Sequence, residues 1–114
     1  MKIQIEGQHL RIRIDEDELA QLLYGETVLA RTHFADAFAI GIALQLTDAV
    51  DAGLGGDATA WVVALPEAAI REHSSRLPTR EGLSFLLGGK AAGSALTLLF
   101  DVDVRDSVRR RKLR

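Results

Sequence analysis

The chain has no cysteine and few aromatic side chains, which make up 5% of its 114 residues. Without cysteine it can form no disulfide, no thiolate metal site and no cysteine nucleophile. This absence fits a reducing compartment. No apolar run approaches the ~20 residues that a membrane-spanning helix needs, and the N-terminal residues lack the apolar stretch of a secretory signal. We therefore expect a soluble, cytoplasmic protein.

The formal net charge of −2 averages two unlike regions. Residues 105–114 (RDSVRRRKLR) hold six of the fourteen basic residues and one of the sixteen acidic residues, so the rest of the chain is acidic. We expect residues 1–104 to form a single α+β domain, since this length supports one hydrophobic core. Residues 105–114 should form a basic C-terminal tail, either disordered or folded back onto the acidic body.

The first fourteen residues alternate between apolar and polar side chains, the pattern of half-buried strands. Gly7-Gln8 interrupts the alternation, either as a tight hairpin turn or as a bulge in one long strand. We favour the hairpin. The segment FAIGIALQLT (38–47) alternates most regularly and predicts a central strand. Its large side chains lie on one face, and Ala39, Gly41 and Ala43 make the other face smooth.

The acidic block that starts at Asp15 predicts a helix N-terminus. Asp15 can cap the free amides of the first turn, and Glu18 completes a capping box. Gly25 is placed to end this helix in a left-handed cap. A carboxylate metal cluster is the less favoured interpretation, because four consecutive acids on a helix point in different directions.

The whole pattern predicts an α+β fold with a mainly antiparallel sheet of about seven strands. Two short helices should lie around residues 15–24 and 66–76. Residues 48–58 are predicted to be a mobile hairpin loop. We find no internal sequence repeat.

Two glycine-rich segments resemble nucleotide-binding motifs only formally. GLGGDA (53–58) fits a dinucleotide fingerprint, but a strand follows it where a helix is required. LLGGKAAGS lacks the first glycine of a phosphate loop and the hydroxyl residue that binds magnesium. The sequence therefore predicts no cofactor.

The polar residues give no catalytic or metal-binding signature. His9, His33 and His73 have no zinc-site spacing, and no serine lies in a nucleophile elbow. Asp101 and Asp103, with Asp48 or Asp51, could hold a hard cation. A solvated strand face that guards a sheet edge is the favoured alternative.

The N-terminal segment MKIQIEGQHLRIRIDEDELAQL resembles the opening of a family of small bacterial proteins of unknown function. ALPEAAIREH (64–73) looks like the second helix of that family. A preference for alanine, glycine and arginine also indicates a GC-rich bacterial genome. The resemblance implies a helix, a central sheet and a second short helix, and it implies no activity.

We expect a non-catalytic domain that binds a protein partner or a second copy of itself through the Ala39, Gly41 and Ala43 face. One alternative is an enzyme or an anion-binding protein, in which Arg11, Arg13, Arg31 and His33 converge on the solvent face of the sheet. A second alternative is nucleic-acid binding through the tail, which the acidic body and the absence of a recognition motif disfavour. Its candidate residues are Arg109, Arg110, Arg111, Lys112 and Arg114.

Overall fold

The computed structural model describes residues 1–104. The predicted basic tail and its five candidate nucleic-acid contacts lie outside the described residues. The elements, in chain order, are β1 (Lys2–Glu6), β2 (His9–Asp15), α1 (Glu16–Leu23), β3 (Val28–Phe34), β4 (Phe38–Thr47), β5 (Gly53–Gly56), β6 (Ala60–Pro66), α2 (Glu67–Ser75), β7 (Leu83–Leu87) and β8 (Leu96–Asp103). Neither helix in this part of the chain is long and apolar enough to cross a bilayer.

The strands form two mixed sheets of four strands each. The first sheet has the order β1-β2-β8-β7, and the second has the order β3-β4-β6-β5. The α+β class and both helices are therefore confirmed, but the single, mainly antiparallel sheet is wrong. Each sheet consists of two antiparallel hairpins that meet through a parallel central pair, β2 with β8 and β4 with β6. Alternation along one strand does not specify its neighbour, so the sequence pattern could not reveal these pairs.

The loop predicted over residues 48–58 contains a further strand, β5, which pairs with β6. In its sequence, GLGG, only Leu54 is not a glycine, so the segment shows no alternation of apolar and polar side chains. The backbone pairing alone makes it a strand.

The N-terminal hairpin is confirmed. Ile5 pairs with Leu10 across the turn, which places both on the same face of the sheet despite their odd spacing in sequence. Gly7 has a φ of 54°, a value that glycine adopts without a steric cost at the first central position of a tight turn.

The start of α1 also matches its prediction. The Asp15 carboxylate accepts a hydrogen bond from the Glu18 amide at 2.7 Å, and the Glu18 carboxylate accepts one from the Asp15 amide at 3.1 Å. At the other end, Gly25 has a φ of 97°. The amides of Gly25 and Glu26 bond back to the carbonyls of Leu22 and Gln21, as a Schellman cap requires.

The order of elements divides the chain into two halves with the same ββαββ plan. The first half is β1, β2, α1, β3 and β4, and the second half is β5, β6, α2, β7 and β8. Exchanging the halves converts one sheet order into the other. Both parallel pairs run over seven residues, and each ends where β2 or β6 passes directly into a helix. The repeat exists in topology, although none is visible in the sequence.

The two sheets share one hydrophobic core. Residues from both sheets and both helices form a single buried cluster: Leu10, Ile12, Ile14, Leu19, Leu22, Val28, Ile42, Leu44, Val63, Leu65, Ile70, Leu98, Phe100 and Val102. Arg71 of α2 also donates a hydrogen bond to the Leu23 carbonyl of α1 at 2.8 Å. The helices begin where β2 and β6 end, so they lie at one end of the two sheets.

Candidate binding surfaces

The outer face of the first sheet carries an ion-pair cluster of Arg11, Arg13 and Asp101. The Asp101 carboxylate accepts hydrogen bonds from Nε of Arg11 at 3.1 Å and from Nε of Arg13 at 3.0 Å. Residues 13 and 101 are direct neighbours across the parallel β2–β8 pair. One carboxylate therefore holds the two arginines that the sequence assigned to an anion pocket.

Charge pairing changes the acid–base properties of this cluster. Burial alone would raise the pKa of Asp101, but hydrogen bonds from Arg13 and Arg11 outweigh it and hold that pKa below its usual value. The same hydrogen bond to Asp101 raises the pKa of Arg13. Asp101 is thus ionised at neutral pH and neutralises part of the positive charge that an anion would need.

Arg31 and His33 lie on β3, in the second sheet, whereas Arg11 and Arg13 lie on β2 in the first. The predicted convergence of all four on one face of one sheet is therefore wrong, because the chain forms two sheets. His9 and His33 are separated in the same way. Anion binding by either pair stays a prediction.

The acidic residues of β8 have a structural role. The sequence predicted that the acidic residues of β8 protect a sheet edge. Strand β8 lies between β2 and β7, so Asp101 is not at an edge. Within residues 1–104, no group of three or more acidic or histidine side chains is close enough to hold a metal ion.

The central strands of the second sheet carry small apolar residues on their outer face, and the edge strand β3 places Arg31 and His33 beside them. We call this outer face the small-residue face and define it by Ala39, Gly41, Ala43, Ala60 and Val62. Gly41 pairs with Ala60, and Ala43 pairs with Val62. Leu29, which pairs with Ala43 on the edge strand, is 75% exposed. A shallow hollow of about 340 Å³ lies over Gly41, Ala43, Ala60 and Val62, and Leu29, Arg31 and Trp61 also line it.

Equivalent positions in the two sheets show how unlike the two outer faces are. The register places Val62 and Ala64 of β6 where β2 has Arg11 and Arg13, and it places Gln45 where β8 has Asp101. The hollow on the first sheet, of about 410 Å³, is lined by charged and polar residues, which include Glu6, His9 and Arg11, together with Leu10 and Leu99. The sequence predicted the contribution of β4 to the small-residue face. It missed β6, because that contribution depends on strand pairing.

A second apolar hollow, which we call the end cleft, opens at the end of the sheets away from the helices. Its walls come from both sheets, and its volume is about 340 Å³. The lining residues are Ile5, Leu10, Leu54, Gly55, Gly56, Asp57, Trp61 and Leu96. Sequence analysis missed this cleft, since its residues come from five strands and one loop.

Among residues 1–104, His73 of α2 is the one polar residue that is fully buried, with 2% exposure. Its ring meets Phe100 edge-on, with centroids 6.4 Å apart, and its Nδ1 has no hydrogen-bond partner within these residues. Burial lowers the pKa of His73, and the nearby Arg76 lowers it further. These surroundings indicate a neutral core residue.

Comparison with known proteins gives no family for this chain. No protein-family model matches it, and no curated protein is similar to it. The resemblance of the N-terminal segment to small bacterial proteins stays a prediction.

Proposed function

We propose that this chain is a non-catalytic interaction domain that pairs with a second copy of itself through the small-residue face. One observation carries the proposal: the central strands of this face carry small, uncharged side chains around an open hollow, whereas the equivalent positions on the first sheet form an ion-pair cluster. A contiguous apolar patch on a protein surface is typical of an interaction site.

The shape of the face favours a second copy as the partner. A two-fold interface requires one patch that complements itself. Here Leu29 projects from the edge strand beside a hollow floored by Gly41, Ala43 and Val62. In a two-fold arrangement, Leu29 of each copy would enter the hollow of the other. Gly41, Ala43 and Ala60 carry small side chains or none, which permits a second sheet to approach this part of the face closely.

The size of the patch predicts a weak complex. Burying the two exposed leucines of a symmetric pair contributes about 3–6 kcal/mol, which does little more than offset the association cost of at least about 4 kcal/mol. The leucines alone therefore do not give a stable complex, and the rest of the face must supply the net affinity. We expect a transient dimer with a Kd of about 1 mM.

Sedimentation velocity over a range of protein concentrations tests this proposal. The wild-type chain should shift from monomer to dimer as its concentration rises. Leu29→Lys should abolish the shift, because a lysine charge cannot enter the apolar hollow without a desolvation cost. A complex with a binding free energy of only about −4 kcal/mol is already half-saturated near 1 mM. If the wild-type chain stays monomeric at that concentration, the proposal of self-association is excluded.

Leu86→Lys provides the matched control. Leu86 lies on the outer face of the first sheet, also on an edge strand, and its exposure of 74% nearly equals that of Leu29. It should leave the dimer intact. If Leu86→Lys abolishes the dimer and Leu29→Lys does not, the chain associates through the first sheet instead.

A further inference from the structure

The two halves of the chain differ at the end cleft. Strand register makes Gly56 of β5 the counterpart of Ile5 of β1. Gly56 has a φ of 86°, and a Cβ atom there would lie 2.0 Å from the Ala60 carbonyl oxygen. The second half therefore requires glycine where the first half has isoleucine, and both residues line the cleft.

The walls of the cleft are apolar and include an aromatic ring. Ile5, Leu54 and Leu96 contribute aliphatic surface, and Trp61 is the only tryptophan of the chain. Ile5 and Leu54 are 63% and 45% exposed, respectively. The volume of about 340 Å³ lies within the range of small-molecule pockets. Such walls favour a ligand with an apolar body.

The charge that the described residues place at the rim of the cleft is negative. Asp57 is the one charged residue that lines the cleft within residues 1–104. Its Oδ1 accepts hydrogen bonds from the amides of Thr59 and Ala60, each at 2.9 Å. The hydrogen bond from the Thr59 amide is the main cause that lowers the pKa of Asp57, so the carboxylate is ionised at neutral pH and fixed in place by its own loop.

We propose that the end cleft binds a small amphipathic organic cation, an arylalkyl- or alkylammonium compound, with its apolar body between the sheets and its ammonium group beside Asp57. The carboxylate and the Trp61 ring both favour a cation, the ring through its negative face. The cleft lies between the two sheets, whereas the small-residue face lies on the outer side of the second sheet. Trp61 lines both hollows, so the cleft-specific evidence comes from Asp57.

Titration of the wild-type chain with three matched probes tests the proposal without any variant. The probes are 2-phenylethylammonium, the neutral 2-phenylethanol and the anionic 3-phenylpropanoate. Trp61 fluorescence should change saturably, with the tightest binding for the ammonium compound and the weakest for the carboxylate. Equal affinity for the charged and neutral probes, or no saturable change, would overturn the proposal.

Asp57→Asn separates the charge from the shape of the loop, since asparagine keeps the Oδ1 acceptor. It should weaken binding of 2-phenylethylammonium about fivefold and leave binding of 2-phenylethanol unchanged. Asp51→Asn removes the same charge from a residue that does not line the cleft and should change neither. NMR amide shifts should cluster on the cleft-lining residues. A cluster over the small-residue face, or an Asp57→Asn variant that binds the ammonium probe as tightly as wild type, would contradict the assignment.

Discussion

The two halves of the chain share a ββαββ plan and matching strand registers, yet they differ where side chains face solvent. In the first sheet, the central strands carry Arg11, Arg13 and Asp101 on the outside. In the second sheet, the same positions carry small or uncharged residues. The inward positions remain apolar in both. The topology and the core thus depend on the alternation of inward apolar residues, which both halves share. The outward residues are not constrained in this way, and they differ in charge and size between the two sheets.

The core offers the strongest test of this comparison, because Ile14 and Leu65 occupy equivalent, fully buried positions in the two sheets. Ile14→Ala and Leu65→Ala should each lower the free energy of unfolding by about 2–5 kcal/mol. Urea denaturation should show one transition, with circular dichroism and Trp61 fluorescence coincident. Non-coincident curves would show that the two sheets unfold separately.

Disrupting the ion-pair cluster should lower the free energy of unfolding by less than a core substitution does. The equivalent substitution in the second sheet should have almost no effect. Asp101→Asn should destabilise the fold by about 1–2 kcal/mol, because the hydrogen bonds to two charged partners are weakened. Gln45→Asn, at the equivalent position, should stay within about 0.5 kcal/mol of wild type. Urea denaturation of both variants at neutral pH measures the difference, and equal effects would contradict it.

The pH dependence of the same cluster has a definite sign. The pKa of Asp101 is lowered in the folded chain, so its contribution is complete above the ordinary carboxyl value of about 3.9 and is lost as pH falls through the lowered value. The Asp101→Asn variant should therefore approach wild-type stability in strong acid.

The smallest expected change in the free energy of unfolding comes from a substitution at equivalent positions of the two helices. Leu22 and His73 each lie seven residues after the end of the preceding strand, and both are buried. His73→Leu should raise the free energy of unfolding by about 1 kcal/mol, since it removes a buried nitrogen that has no partner among residues 1–104.

The His73 substitution should also remove a pH dependence. Because the pKa of His73 is lowered, wild type should lose stability as pH falls below the ordinary histidine value of about 6.5. The charged groups Glu72, Arg76 and Asp101 act on this ring and are unchanged in the variant. Thermal unfolding between neutral pH and mildly acidic pH should show a smaller decline for His73→Leu; parallel declines would contradict this role.

Much of the local structure follows from sequence, because its causes are local. Side-chain alternation predicted the long strands, and the Asp15–Glu18 pair predicted the start of α1. Strand β5 escaped prediction since GLGG has almost no side chains to alternate. The parallel pairs escaped because they join residues such as Arg11 and Asp101, which are 90 positions apart. The same separation hid the ion-pair cluster and the end cleft, whereas Ala39, Gly41 and Ala43 are visible in a single strand.

Each sheet takes one hairpin from each half, so neither half can complete a sheet by itself. A fragment that ended after Thr47 would leave two hairpins, each with an unpaired central strand. The segment between Thr47 and Gly53 is then a tether rather than a structural support. If the chain is cut within this tether, we expect the two fragments to associate and rebuild both sheets, as in split-protein complementation.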